Sequence, residues 1–383
     1  METPVIVMGR RTPIGKIGGV LKDVPPEQLA ASVIKEIVKK SGINPHNIDE
    51  VILGNAVGPG GNIARLSSLC ANLPMEVPGV TIDRQCGSGL EAINIACRLI
   101  QSGAGDIYIA GGVESTSLAP WKIEKPSHLY SLKGPSFYMR ARFSPDFIGD
   151  PDMGVAAENV AEAFHISRKD QDEFALTSHQ KAVKAQEEGR FLKEIVPINE
   201  VIKDECPRRD TSIEKLSSLK PVFREGGTVT AGNACPVNDG AACVLIMSEK
   251  KCLELGLKPM MKFVDARSAG VDPNLLGIGP IPAVKKLLNY QRLTIDDIDL
   301  VEFNEAFASQ VLASIRELKI PLKKLNIGGG ALAIGHPYGA SGAILVTRLC
   351  TEMERTNAKR AIATLGIGGG LGVATLFERY ENR

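Results

Sequence analysis

The chain has 383 residues, 44% of them hydrophobic, and 45 basic residues against 44 acidic ones give a net charge of +1. That length allows two to three domains and a large core without disulfide staples. The charge balance excludes the basic footprint of a nucleic-acid or anionic-membrane binder. Glycine deviates: 39 residues are about 10% of the chain, against a usual share of about 7%.

In chain order, short apolar runs alternate with helix-patterned stretches. Val5–Met8 reads as a strand, Glu27–Lys40 as a helix and Glu50–Leu53 as a strand. Gly89–Gln101 reads as a helix and Ile107–Ala110 as a strand. From about Leu118 to Val229 the pattern breaks into prolines and charges around one helical region, Ala156–Glu188. We read this as an inserted loop domain. Beyond it, strands Val244–Met247, Met261–Ala266, Leu300–Phe303 and Ala361–Leu365 interleave with helices Pro282–Asn289, Glu305–Glu317 and Gly342–Glu354. The runs are apolar enough for burial on both faces, which predicts an α/β fold. The N-terminus lacks a signal-peptide pattern, and no apolar run reaches 18 residues, so no membrane partner is expected. The eight cysteines form no CxxC and no zinc-ligand spacing, which predicts reduced thiols in the cytoplasm and no metal.

The chain repeats itself. Ile48-Asp-Glu-Val-Ile-Leu-Gly-Asn-Ala56 aligns without gaps on Ile298-Asp-Leu-Val-Glu-Phe-Asn-Glu-Ala306. The same offset places Cys86 on His336, Gly89 on Gly339 and Arg98-Leu99 on Arg348-Leu349. A duplicated α/β unit follows, in which a pseudo-twofold brings two equivalent turns together, one with a cysteine and one with a histidine.

Those turns carry the chemistry. Cys86 lies in Asp83-Arg-Gln-Cys-Gly-Ser-Gly89, just before a helix, where free N–H groups and the helix dipole favour thiolate. Read alone, it could equally be a small core residue in a tight turn. The nearby Gly87-x-Gly89-x-x-Ala92 lacks the strand and the acidic residue of a dinucleotide site. Of five histidines, His46, His128, His165 and His179 sit in polar or helical contexts and are expected at the surface. His336 stands among glycines and proline, and its equivalence to Cys86 suggests a thiol-activating base. Asn304 follows a strand end where polar groups converge on ligands, although a helix N-cap is the competing reading. Glu302 and Glu305 could be solvated or salt-bridged. Gly366-Ile-Gly-Gly-Gly-Leu-Gly372 could form a backbone N–H nest.

Gln85-Cys-Gly-Ser-Gly-Leu-Glu-Ala92, Asn304-Glu-Ala-Phe307, Gly335-His-Pro-x-Gly-x-Ser-Gly342 and the terminal glycine block together resemble the thiolase family over nearly the whole chain. Thr228–Ala234 and Gly277–Pro282 add to the resemblance. It implies a duplicated five-layer αβαβα fold with an inserted loop domain. Residues 1–117 and 230–257 would form the N-terminal half, 118–229 the CoA-binding insertion, and 258–383 the C-terminal half. It also implies a homodimer or homotetramer with acyl-CoA and CoA as substrates and no tightly bound cofactor. By motif, Cys86 would be the acylated nucleophile and His336 its base. Asn304 would hold a water in one oxyanion hole, and the N–H groups of Cys86 and Gly368 would form the other. Met153, Arg208, Phe223, Ala231, Gly232, Cys235 and Phe307 would line the CoA path.

Three departures stand out. Gly366 occupies the place of the cysteine that shuttles the α-carbon proton in thiolases, so the C–C step is expected to be impaired. Cys235 stands where biosynthetic members have serine, and Asp152 stands where many have histidine, adding negative charge near the acyl path. Arg209 adjoins Arg208 on the expected nucleotide side. The expected activity is thiolase cleavage or condensation through acyl-Cys86. An acyl-CoA hydrolase, an acyltransferase to a non-carbon acceptor, or a non-catalytic acyl-CoA binder are the alternatives.

Overall fold

A computed structural model describes residues 2–126, 128, 130 and 134–381. The outermost residues of the first and last expected domains, and residues 127, 129 and 131–133 of the insertion, lie outside these. The main elements in chain order are β1 (Pro4–Arg11), α1 (Pro26–Ser41), β2 (Glu50–Gly54), α2 (Ile63–Cys70), β3 (Gly79–Ile82) and α3 (Ser88–Ser102). They continue with β4 (Ile107–Ser115), α4 (Met153–Ala163), α5 (Arg168–Glu187), β5 (Asn238–Ser248) and β6 (Met261–Gly270). The last are α6 (Pro280–Gln291), β7 (Leu300–Phe303), α7 (Ala308–Leu318), α8 (Tyr338–Thr356), β8 (Arg360–Ile367) and β9 (Leu371–Arg379).

The strands run in the order β7-β8-β9-β6-β1-β5-β4-β2-β3. In each half one interior strand, β5 or β9, runs antiparallel to both of its neighbours, and the strands toward the outer edge, β4-β2-β3 and β8-β7, pair in parallel. The halves meet where Val5 and Ile6 of β1 pair with Lys262 and Met261 of β6. The duplication shows in individual bonds. Asp49 Oδ2 accepts the N–H groups of Asp106 and Ile107, and Asp299 Oδ2 accepts those of Lys359 and Arg360. Val51 pairs with Gly79, and its repeat partner Val301 bridges to Leu325.

Alternation along the strands divides the core into layers. On β5, Ala242, Val244 and Ile246 face one cluster, and Ala241, Cys243, Leu245 and Met247 face another. The first cluster holds α3 and α8, packed together between the two sheets. The second lies under α1 and α2, and a third lies under α6 and α7. This is the five-layer αβαβα arrangement. It explains why the strands read as continuous apolar runs: both faces are buried. Among the described residues, no helix is long and apolar enough to cross a membrane.

Several expectations change. The helical region 156–188 is two helices, broken where His165 takes φ +52° and Ile166 N–H returns to Ala161 C=O at 2.8 Å. Ser167 then caps α5 by accepting Asp170 N–H, so a polar cap overrides the continuous pattern. The predicted helix at Glu305 starts only at Ala308. Glu305 is drawn out of it by Ser178, Asn326 and Leu332 N–H, and Phe307 is extended, bridging to Ala234. His179 is not at the surface: it is 5% exposed, and its Nδ1 accepts Arg208 N–H. Burial holds its pKa down to about 4. Glu302 and Glu305 are both buried, which rules out the solvated reading. Helix α2 and strands β3 and β9 have no counterpart among the expected elements.

The segment between β4 and β5 is tied to the sheet by Arg11. Its guanidinium, fully buried, binds Asp204 through two nitrogens at 2.7 and 2.9 Å and Glu194 at 2.8 Å. Removing one side of a buried ion network leaves uncompensated charge. Arg11→Ala should therefore lower unfolding free energy by about 3–5 kcal/mol. Urea denaturation followed by circular dichroism checks this, and an unchanged midpoint would show that the network is energetically idle.

Candidate active site

Cys86 sits on a turn built by short-range bonds. Gln85 takes φ +47°, and Asp83 Oδ1 accepts its backbone N–H at 2.7 Å. Ser88 Oγ donates to Gln85 C=O and accepts Arg84 N–H. Cys86 and His336 each lie two residues before the first helical residue, of α3 and α8 respectively. These helix starts touch backbone to backbone: a Cβ on Gly89 would stand 2.7 Å from Gly339 C=O and 3.0 Å from Ala343 N. Only glycine allows that approach, and it carries the cysteine turn and the histidine turn to one place.

His336 is 1% exposed. Asn238 Oδ1 accepts its backbone N–H at 2.8 Å, and Val237 pairs with it. Its Nδ1 lies 2.6 Å from Ser341 Oγ, whose hydroxyl donates to Pro337 C=O at 2.9 Å. Ser341 can then only accept, so the hydrogen-bond network assigns the ring proton to Nδ1 and the lone pair to Nε2. Asn304 Nδ2, also buried, lies 3.3 Å from that Nε2. Asn304 is not a helix N-cap; Phe307 holds that position. Gly368 begins the three-residue turn between β8 and β9, where Gly369 and Gly370 take φ +84° and +77°. Its N–H acts on Cys86 Sγ and draws the thiol's pKa down. Phe143 of the insertion lies on Gly368, its ring under the Arg140 guanidinium.

Desolvation dominates the electrostatics. It pushes the Cys86 thiol up to about 12, against the N–H groups of Gly368 and Cys86 itself, and drives His336 down to about 3. The N–H groups at the helix start favour thiolate, as expected there, but burial acts more strongly in the opposite direction and favours a neutral thiol beside a neutral imidazole. Such a pair can pass a proton from sulfur to Nε2 as the thiol attacks a carbonyl. Glu114, missed in the sequence, organises the surroundings. It accepts N–H groups from Ala56, Val57 and Gly339 and the Asn55 amide, and burial raises it to about 7. Ser341 and Asn238 were also missed. Their only signals are a serine in the first turn after His336 and a polar residue at a strand start.

The expected CoA-path residues largely share one wall. Phe223 meets Phe307 edge-on at 6.2 Å and covers Gly154, next to Met153. Phe307 bridges to Ala234, and Cys235 N–H donates to Ala306 C=O. Gly232 packs on Leu216 and Leu219, and Ala231 is exposed. Arg208 is exposed, as is Arg209, which pairs with Glu187. Asp152 is exposed just before α4, and Arg140, which binds Asp150 at 2.9 Å, lies 3.6 Å from it.

A thiol, an imidazole and a carboxamide thus gather at the helix starts of a duplicated five-layer scaffold. Family models agree: the thiolase N-terminal domain matches residues 4–250 and the thiolase C-terminal domain residues 257–379. The chain belongs to the thiolase family and is an acyltransferase of that class. It is 52% identical to "Putative acetyl-CoA C-acetyltransferase VraB" of Staphylococcus epidermidis, over 99% of both chains. It is 50% identical to the protein of the same name from Staphylococcus aureus, over 99% of this chain and 100% of the relative. The crystal structure of the Bacillus anthracis acetyl-CoA acetyltransferase superposes with a TM-score of 0.93 at 42% identity, over 99% of each chain.

The neutral resting pair has a measurable consequence. Alkylation of Cys86 by iodoacetamide in the free enzyme should accelerate about tenfold per pH unit from pH 7 to 10, following the thiolate fraction. Peptide mass spectrometry across that range reads the rate. A plateau already reached at pH 7 would mean a preformed thiolate.

Proposed function

We propose that the protein catalyses the thiolase reaction, transferring an acyl group between a 3-ketoacyl-CoA and CoA through acyl-Cys86. The observation that carries this reading is the meeting of Cys86 Sγ with Gly368 N–H on a helix start abutting the one that holds His336 and Asn304. Cys86 Sγ attacks the 3-keto carbon as His336 Nε2 takes its proton. The N–H groups of Cys86 and Gly368 receive the developing oxyanion, where preorganised donors count most. The bond between C2 and C3 breaks, and CoA thiol then takes the acyl group from Cys86. Asn304 and protonated His336 face the thioester oxygen of the departing unit. Met153, Phe223, Ala231, Gly232, Cys235 and Phe307 line the pantetheine path, with Arg208 toward the nucleotide. CoA is substrate, with no tightly bound cofactor.

The reading extends to a cytoplasmic homodimer or homotetramer and to the division 1–117 with 230–257, 118–229 and 258–383. The part-exposed edge strand β3, with Leu66, Leu69 and Met75 exposed nearby, supports self-association. A second reading, acyl-CoA hydrolysis or transfer to a non-carbon acceptor, draws on Gly366, which offers no acid–base side chain.

Purified protein should cleave acetoacetyl-CoA with CoA to acetyl-CoA. Cys86→Ala should abolish this, and Asn304→Ala should lower kcat/KM by about 10²–10³. Absorbance of the magnesium enolate of acetoacetyl-CoA follows the reaction. Acylation of Cys86 and release of free CoA, without C–C cleavage of any 3-ketoacyl-CoA, would favour the hydrolase instead.

A further inference from the structure

Cleavage between C2 and C3 leaves an electron pair on C2, and that carbon must gain a proton before acetyl-CoA departs. Resting on the thiolase reading, we ask which group gives that proton. The end of β8 does not: Gly366 has no side chain, and the space beside it is filled. A Cβ there would lie 2.7 Å from Gln310 Nε2 and 2.9 Å from Gly277 C=O. Gln310 is 2% exposed and its Nε2 has no hydrogen-bond partner among the described residues. It fills the gap with a carboxamide, which holds no titratable proton. Glu114 is also committed, since both its oxygens accept N–H groups that fix the turns.

Tyr338 is placed differently. It is the first residue of α8, two residues past His336, and its ring meets the imidazole edge-on at 5.0 Å and 88°. It is neither fully buried nor exposed. Among the described residues its hydroxyl has no hydrogen-bond partner. An unpartnered phenol beside the base and the nucleophile is free to bond substrate.

We propose that Tyr338 is the general acid that protonates C2 of the departing acetyl unit, in place of a side chain at position 366. Burial and the neighbouring Cys235, Cys86 and Glu114 push its phenol above its ordinary value, which keeps the proton on it at neutral pH. Cys86 Sγ bonds to C3, and the C2–C3 electron pair stays with C2. The Tyr338 Oη proton goes to C2, leaving tyrosinate. Protonated His336 returns its proton to the tyrosinate, and neutral His336 Nε2 then takes the proton of CoA–SH, whose sulfur attacks the acyl carbon. Cys86 leaves as thiolate and recovers its proton from His336. The sum is 3-ketoacyl-CoA plus CoA giving acyl-CoA plus acetyl-CoA.

Run in reverse, the same step exchanges the methyl protons of acetyl-CoA with solvent, which isolates it from acylation. The test uses full-length protein and Tyr338→Phe in deuterium oxide. Mass spectrometry reads deuterium entering acetyl-CoA and, separately, acetylation of Cys86. Exchange and acetoacetyl-CoA cleavage should both fall about 10²–10⁴-fold in Tyr338→Phe, the span of a lost general acid. Cys86 acetylation should stay within about threefold of the parent, as the conservative ring keeps its packing on His336. Undiminished exchange would overturn the proposal. So would acetylation falling as far as exchange, since Tyr338 would then only position His336. Loss of exchange in Cys235→Ser with exchange kept in Tyr338→Phe would assign the proton to the thiol and overturn it as well. A parent enzyme that neither exchanges nor cleaves would refute the thiolase reading and this inference together. A parent that does both while Tyr338→Phe keeps exchange refutes this inference alone.

Discussion

The contact between the starts of α3 and α8 governs the rest of the molecule. Gly89 meets Gly339, and Gly342 meets Leu90, at distances that leave no room for a Cβ. Two helices between two sheets would ordinarily be spaced 8–10 Å apart by their side chains. Here they close until backbone touches backbone, at the end where both N-termini point. That closure costs side-chain burial, which the flanking core recovers through Leu90, Ile93, Ala340, Ala343 and Ile344. What it secures is position. The cysteine turn and the histidine turn inherit the rigidity of the central layer, not the mobility of loops.

The same closure sets the electrostatics. A dry junction raises the energy of any charge inside it, and the thiol and the imidazole both respond by staying neutral. Two buried carboxyl groups near the junction are held by donors. Glu114 binds three N–H groups and an amide, and Glu305 binds a serine, an asparagine and an N–H group. Neither touches the reacting atoms; they brace the turns that do. The site thus spends its polar groups on geometry, and charge would develop only as substrate arrives among the N–H groups of Cys86 and Gly368.

Much of this is legible in the residues. The 250-residue offset is enough to pair Cys86 with His336, because a duplicated unit keeps its turns in register even after the turn residues diverge. Apolar runs buried on both faces announce the strands of both sheets. Other features leave weaker traces. The break at His165 depends on a side-chain cap that competes with an uninterrupted helical pattern. The late start of α7 depends on Ser178 and Asn326, distant residues that no local window contains. His179 reads as a surface residue because the group it bonds is the backbone of Arg208, which carries no side-chain signal. The height of the Cys86 pKa escapes the sequence for a related reason: dipole and N–H donors are local and readable, whereas desolvation is the sum of everything packed around.

The two halves have kept different things. Asp49 and Asp299 still bind the same pair of strand N–H groups, so the scaffold remains symmetric where it holds the sheets. At the mouth the symmetry is gone. One helix is preceded by a thiol; the other is preceded by an imidazole and opens with a phenol, which has no counterpart at Ser88. The hairpin from β8 to β9 contributes only backbone there, the N–H of Gly368, while Gln310 and the Gly277 carbonyl close the space beside Gly366. A side chain restored at 366 would have to displace a main-chain carbonyl as well as the Gln310 amide. On the thiolase reading, proton chemistry in this pocket would come from the α8 side of the cleft or from the Cys235 segment.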